Sequence, residues 1–198
     1  TLDDGSTFVV LARDRTGYSN LCRLVTKGRL RHEKGSCAVT WNEVCEHAEG
    51  LIGLWGGARS LLVHPTRYTP ALANQLRDAF GADLYATLAR HKHWSEPPQE
   101  ALLRERAARQ ALPLVAANEV LYHMPARRPL QDVLTCIRHG VTLSEAHTLL
   151  QPNAEYVLKS QHSLALLFAD DLPALARSAE VAERCTFGLE QLRYRYPS

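Results

Sequence analysis

The sequence has no C-x-x-C pair, no G-x-S-x-G and no G-x-x-x-x-G-K-[ST], and each absence removes a function class. The missing glycine-rich motifs exclude a serine nucleophile elbow and a P-loop for phosphates. Its five cysteines, Cys22, Cys37, Cys45, Cys136 and Cys185, are odd in number and lack the spacing of zinc or thiol-redox sites, so they read as reduced thiols in a cytosol. Cys136 lies on the apolar side of a helix and reads as a small buried residue. No apolar run approaches the roughly 18 residues of a membrane span, and Thr1-Leu2-Asp3-Asp4 is no signal peptide, so a cytoplasmic chain with no membrane partner is expected. Net charge is also small, with 23 Lys and Arg against 21 Asp and Glu. A net charge of +2 gives no field for capturing nucleic acid, and any basic patch must be local. There is no initiator methionine, and Thr1 stands on what reads as the turn before a strand, as in a fragment.

What is present is a foldable chain. Its 198 residues, 45% hydrophobic and 22% charged, suffice for one domain with a real core, or one and a small appendage. Phe8–Ala12 is a continuous apolar run, the pattern of a strand buried on both faces. Asp14 or Thr16 then caps a helix with Leu21, Leu24 and Val25 on its apolar stripe and Arg23, Lys27, Arg29 and Arg31 around it. Thr40-Trp41-Asn42-Glu43 fits a capping box for a short helix that Gly50 stops. Leu51–Trp55 and Leu61–Val63 read as strands separated by Gly56-Gly57. Thr69-Pro70 opens a helix over Leu72, Leu76, Ala79 and Phe80 that Gly81 ends, and Asp83–Ala89 reads as the next strand. Pro97-Pro98 opens a helix through Leu102, Leu103, Ala107 and Leu112, followed by strand Leu114–Ala117. Alternation of this kind implies βα units and a mainly parallel sheet, sandwiched or closed as a barrel. From Leu130 onward the pattern is helical: Leu130, Val133, Leu134 and Ile137 mark one helix, Thr142–Glu145 caps another, and Ser160 and Asp171 start two more.

Chemistry-bearing residues gather where strands end. Asn118-Glu119 follows strand Leu114–Ala117, the position from which parallel sheets present ligand-binding groups. Glu119 could be a metal ligand or general base, helped by His123; the alternative is a local cap and a surface histidine. His91 and His93 form an H-x-H pair after the preceding strand, and strand alternation would aim both at one ion, although Arg90 and Lys92 flank them with positive charge. His64 is a third histidine at a strand end. Arg127 and Arg128, with Arg138, could bind phosphate or form an ordinary surface charge cluster. The alternation of arginine and tyrosine at Arg193, Tyr194, Arg195 and Tyr196 could contact nucleic acid by stacking and charge.

Ordered motifs carry a further signal. PLQDVLTCIRHG, PNAEYVLKS and ERCTFGLEQLRYRYPS, preceded by VLARDRTGYSNLCRLVTKGR, KGS and AEGLIGLWGG, resemble the N-terminal part of bacterial C-family DNA polymerase alpha subunits, above all the error-prone type that accompanies damage-induced mutagenesis. The resemblance implies a PHP (polymerase and histidinol phosphatase) domain over residues 1–124. This is an α/β fold, an incomplete distorted βα barrel without its first strands. An all-helical segment over 125–198 would connect it to the polymerase palm. Active members carry an H-x-H near the chain start, upstream of this sequence, and an aspartate and a histidine two apart where Glu119 and Leu121 stand here. Thr87 occupies a position that is acidic in many relatives. His91 and Glu119 would be what remains of the metal site.

The resemblance therefore implies a fragment of an error-prone DNA-directed DNA polymerase whose PHP region is structural, with no cofactor of its own or a divalent ion, manganese or zinc, in a degenerate site. Its partners would be the palm and fingers of the same polymerase and, through it, DNA and mutagenesis accessory proteins. The palm carboxylates would lie beyond residue 198. Two alternatives stay open. One is a metal-dependent phosphoesterase or 3'-5' exonuclease built on His64, His91, His93, Glu119 and His123. The other is a DNA- or protein-binding module using Arg127, Arg128, Arg193 and Arg195.

Overall fold

The computed structural model describes residues 1–192. Its framework is a four-stranded sheet of β1 (Val9–Ala12), β2 (Leu51–Gly56), β3 (Leu84–Ala89) and β4 (Leu114–Ala117), in that spatial order. β2, β3 and β4 run parallel, whereas β1 pairs antiparallel with β2, matching Val9 with Leu54 and Ala12 with Leu51. The α/β class read from the sequence holds. The sheet is mixed and open, with β1 at one edge and β4 at the other.

Burial follows that order. β2 and β3 are central strands, and Leu51, Ile52, Trp55, Leu84 and Ala86 are almost wholly buried, as continuous apolar runs require. β1 carries a similar run but lies at the edge, so Val9 is half exposed rather than buried. One large core joins β2 and β3 to the helices that follow the strands. It takes Leu24 from α1 (Arg15–Leu30), Val44 from α2 (Trp41–Glu46), Leu76 and Phe80 from α3 (Pro70–Phe80), and Leu103 and Ala107 from α4 (Glu96–Arg109). Asp14 caps α1, Thr40 and Glu43 form the capping box of α2, and Thr69 caps α3 ahead of Pro70. A Cβ on Gly17 would stand 1.8 Å from the Gly50 carbonyl oxygen, so α1 sits this close to the start of β2 only with glycine there.

The second half of the chain returns to the same sheet. Val181 of α7 (Leu172–Arg184) packs with Ile52, Tyr85 and Val115, and Phe168, which follows α6 (Gln161–Leu167), packs with Leu88, Ala116 and Ala174. Ser160 and Asp171 cap these helices, as their sequence positions suggest. Among the described residues, no helix is long and apolar enough to cross a membrane.

Besides the edge position of β1 and the ends of α2 and α4, which stop at Glu46 and Arg109 short of Gly50 and Leu112, local expectations differ from the structure in four places. Leu61–Val63 is a 3-10 turn rather than a strand, capped by Ser60 and held where Arg106 donates to the carbonyls of Leu62 and His64. Asp83 lies in a turn before β3, where its carboxylate accepts from Arg13 and Arg184. Thr142 and Glu145 do exchange a cap-like bond, but no α-helix follows. His147 takes the left-handed φ of +35° and opens only a 3-10 turn, His147–Leu149, Pro152 removes a donor, and the chain bends over 152–154 before Val157 bridges Tyr122. Residues 150–160 therefore interrupt the expected helical segment.

The fourth difference is at α5 (Arg128–His139). Cys136 is buried there, yet it shares its side of the helix with Arg128 and Asp132. The apolar stripe of Leu130, Val133, Leu134 and Ile137 faces outward, with Ile137 71% exposed.

Candidate functional site

The carboxyl ends of β2, β3 and β4 open into a cleft of about 640 Å³. Gly57, Thr87, His91, His93, Glu96, Glu119 and Tyr156 all line it. This is where the carboxyl ends of parallel strands place ligand-binding groups in open α/β sheets.

His91 is the buried centre of the cleft. Its ring stacks on Tyr156, centroids 3.9 Å apart and planes 6° from parallel, and its Nδ1 lies 3.2 Å from Glu96 Oε1. Glu96 also accepts from the backbone N–H groups of His91 and His93, at 2.8 and 3.2 Å, so one carboxylate at the start of α4 fixes the loop after β3. Asn153 donates to the His91 carbonyl from the other side at 2.6 Å. With the ring proton on Nδ1, which the carboxylate favours, Nε2 presents a lone pair, and this atom is buried with no hydrogen-bond partner. Thr87 Oγ1, on β3, is buried in the same cleft and equally unpartnered.

The other predicted residues are less engaged. β3 has ended before His91, and Lys92 adopts φ +56°, so strand alternation does not relate His91 to His93. His93 lines the cleft but its Nδ1 is 2.6 Å from Ser95 Oγ. Glu119 is exposed at the rim, with Oε1 lying 2.9 Å from where a Cβ on Gly57 would be, and Gly57 holds φ +85°. A side chain there would displace the carboxylate and strain the backbone. His64 accepts from the backbone N–H groups of Thr66 and Arg67 and does not line the cleft. His123 and Leu121 are exposed outside it, although the Leu121 N–H donates to the Tyr156 carbonyl at 2.9 Å. Arg127 is exposed, whereas Arg128 donates to the Gln151 carbonyl at 2.8 Å and pairs with Asp132. Arg193 and Arg195 lie outside the described residues. Among the described residues, no group of three or more His, Cys, Asp or Glu side chains stands close enough to hold a metal ion.

Positive charge expected beside the H-x-H pair is neutralised. Arg90 bonds Glu100 at 2.6 Å and Asp170 at 2.5 Å, donates to the Leu167 carbonyl at 2.8 Å, and lies over the Phe168 ring. Arg104 adds bonds to Glu100 and Asp171 at 2.9 and 2.6 Å. The hydrogen bond from Arg90 holds the Asp170 carboxyl down at about 2. Burial pushes Glu100 up, but its hydrogen bonds from Arg90 and Arg104 outweigh that and leave it below the usual carboxylate range. Burial, followed by the charges of Glu119 and Glu96, raises the Tyr156 hydroxyl. The network ties the loop after β3 to α4 and to the α6–α7 turn.

Sequence reasoning passed over Glu96 and Tyr156, which position His91 most directly. Glu96 had a usable signal, an acid immediately before Pro97-Pro98 in a helix's first turn. Tyr156 had none, because its contact with His91 spans a long stretch of chain.

The arrangement offers one buried imidazole nitrogen, one neutral hydroxyl and one rim carboxylate. No protein-family model matches the chain. It is, however, 35% identical over 199 residues to error-prone DNA polymerase 2 of Agrobacterium fabrum, a match covering 99% of this chain and 18% of that relative. It is 38% identical to the error-prone DNA polymerase of Anaeromyxobacter dehalogenans (strain 2CP-C), covering 96% and 17% respectively, and 36% identical to that of Caulobacter vibrioides, covering 99% and 18%. The chain thus spans less than a fifth of the length of the curated relatives it matches. Along nearly all of its own length, it is similar to one part of error-prone DNA polymerases.

Proposed function

We propose that this chain is the structural α/β region of an error-prone DNA-directed DNA polymerase of the C family, acting in cytoplasmic DNA synthesis across damage. Residues 1–124 form its PHP-like domain and 125–198 the connector towards the palm. The observation that carries this reading is the similarity over 96–99% of the chain to relatives named error-prone DNA polymerase.

The donor set of the cleft does not fit a metal cluster. Thr87 contributes a neutral hydroxyl, the Nδ1 of His91 is occupied by Glu96, and Leu121, outside the cleft, has no metal-binding atom to offer. Hydrolysis by such enzymes needs an ion both held and able to activate water. His91 serves packing instead, pressed on Tyr156 and pinned by Glu96 and Asn153. The exposed stripe of α5 is the face on which the rest of the same polypeptide docks, because relatives are about five to six times as long as this chain and Leu130, Leu134 and Ile137 are left uncovered by the described residues.

A metal-dependent phosphoesterase or 3'-5' exonuclease is the second reading. It is favoured by the two unpartnered buried polar atoms, His91 Nε2 and Thr87 Oγ1, in one cleft. A full-length polymerase carrying Glu119→Ala separates the two. The structural reading expects primer extension to persist at the wild-type rate, with no metal-dependent hydrolysis of single-stranded DNA in either protein. Hydrolysis by the wild type that the variant loses would contradict it.

A further inference from the structure

The cleft leaves one sequence feature unabsorbed, the cations of the first helix. Between Arg13 and Lys34 the chain carries seven basic and two acidic residues, a net +5 inside a chain whose total is +2. The rest of the molecule is therefore net acidic, and the charge is segregated rather than diluted.

α1 itself contains no Asp or Glu. Its buried side is Gly17, Leu24 and Gly28, set against Gly50, the core and Val39. Helical spacing puts Arg15, Ser19, Arg23, Thr26 and Arg29 on the opposite face, all of them exposed. Some neighbouring cations are paired: Arg13 with Asp83, Lys27 with Glu46, Arg31 with Glu43. Among the described residues, Arg15, Arg23, Arg29 and Lys34 form no ion pair. A row of unpaired guanidinium groups interleaved with hydroxyls, about 21 Å from Arg15 to Arg29 at 1.5 Å per residue, suits the phosphates of roughly six base steps of one strand.

We infer that the outward face of α1 is a binding surface for the phosphate backbone of duplex DNA, separate from the cleft and from Arg127 and Arg128. A membrane is the poorer partner, because the apolar side of α1 is spent in the core and only single residues such as Leu30 remain to enter lipid. The reading of the chain as part of a polymerase is used only to name the polyanion as DNA.

The test uses the 198-residue chain and a fluorescently labelled duplex of arbitrary sequence, followed by anisotropy across a salt series. A triple variant, Arg15→Glu, Arg23→Glu and Arg29→Glu, is compared with an equal charge change elsewhere, Arg59→Glu, Arg77→Glu and Arg109→Glu, both checked for native circular dichroism. The wild type should bind more weakly as salt rises. The α1 variant should lose at least about tenfold in affinity and flatten the log–log salt dependence by about three, one per cation removed, while the control stays within about twofold of wild type. Equal losses in both variants, no wild-type binding at low salt, or equally tight binding to phosphatidylserine vesicles or poly-glutamate would overturn the inference. Such a failure leaves the polymerase reading untouched, since full-length primer extension decides that.

Discussion

The ring of His91 lies flat on the ring of Tyr156, centroids 3.9 Å apart, and so joins the loop after β3 to a segment that no local pattern connects with it. A stacked, buried ring of this kind is a packing element first. Replacing His91 by Ala removes the stack and leaves a void, and denaturant unfolding should report a loss of about 2 to 3 kcal/mol. Phe at the same place keeps the flat ring and deletes the unpartnered nitrogen, at the cost of the bond to Glu96, and should stay within about 1 kcal/mol of wild type. A ligand role would make Phe as damaging as Ala to any metal-dependent property.

Glu96 is the clamp of that loop. Glu96→Ala frees the backbone N–H groups of His91 and His93 together, so amide exchange at these two positions should accelerate well beyond that of β3, with a global cost of about 1 to 2 kcal/mol. Glu96→Gln keeps an acceptor and should fall between Ala and wild type.

Acid should loosen the contact between α4 and the α6–α7 turn in a defined window. Asp170 has its pKa lowered from 3.8 to about 2 by Arg90, so its contribution is fully present above pH 3.8 and is lost as pH falls towards 2. Its side chain is 65% exposed, and solvent screening limits the contribution to less than about 1 kcal/mol. Asp170→Asn should flatten the pH dependence of stability in that window. Glu100 is far less exposed and serves two arginines, so Glu100→Gln should cost more, about 2 kcal/mol at pH 7, read by thermal unfolding.

Much of this fold was legible locally. The runs of β2, β3 and β4, the caps at Asp14, Thr40, Thr69, Ser160 and Asp171, and the stop at Gly81 all act over a few residues, and they formed where the spacing puts them; α2, by contrast, ends at Glu46, before Gly50. Leu61–Val63 was not legible, because three apolar residues fit a strand or a turn equally and the deciding bond comes from Arg106, far along the chain. Nor was β1's edge position, since an apolar run does not state its neighbours. Periodicity found α5 but could not say which side is covered. At the cleft, the strand-end positions bring His91, His93 and Glu119 to its lining, whereas His64, also at an expected strand end, lies outside it. The left-handed turn at Lys92 and the approach of Tyr156 are tertiary facts without a local signature, and they decide what His91 does.

Thiol labelling probes the unexpected side of α5. Cys136 is buried and Cys22 exposed, so a thiol reagent should modify Cys22 in the folded chain while Cys136 reacts only on unfolding. In a full-length polymerase, Leu134→Cys should be protected relative to the same substitution in the 198-residue chain.

If the cleft holds its histidine for packing and not for metal-dependent hydrolysis, the chain should retain no stoichiometric metal. Metal content of the purified wild-type chain by mass spectrometry, after saturation with manganese and zinc and exhaustive dialysis, tests it most directly. Substoichiometric metal, unchanged by His91→Phe, is the expected result. Two or more ions per chain, lost in that variant, would contradict it.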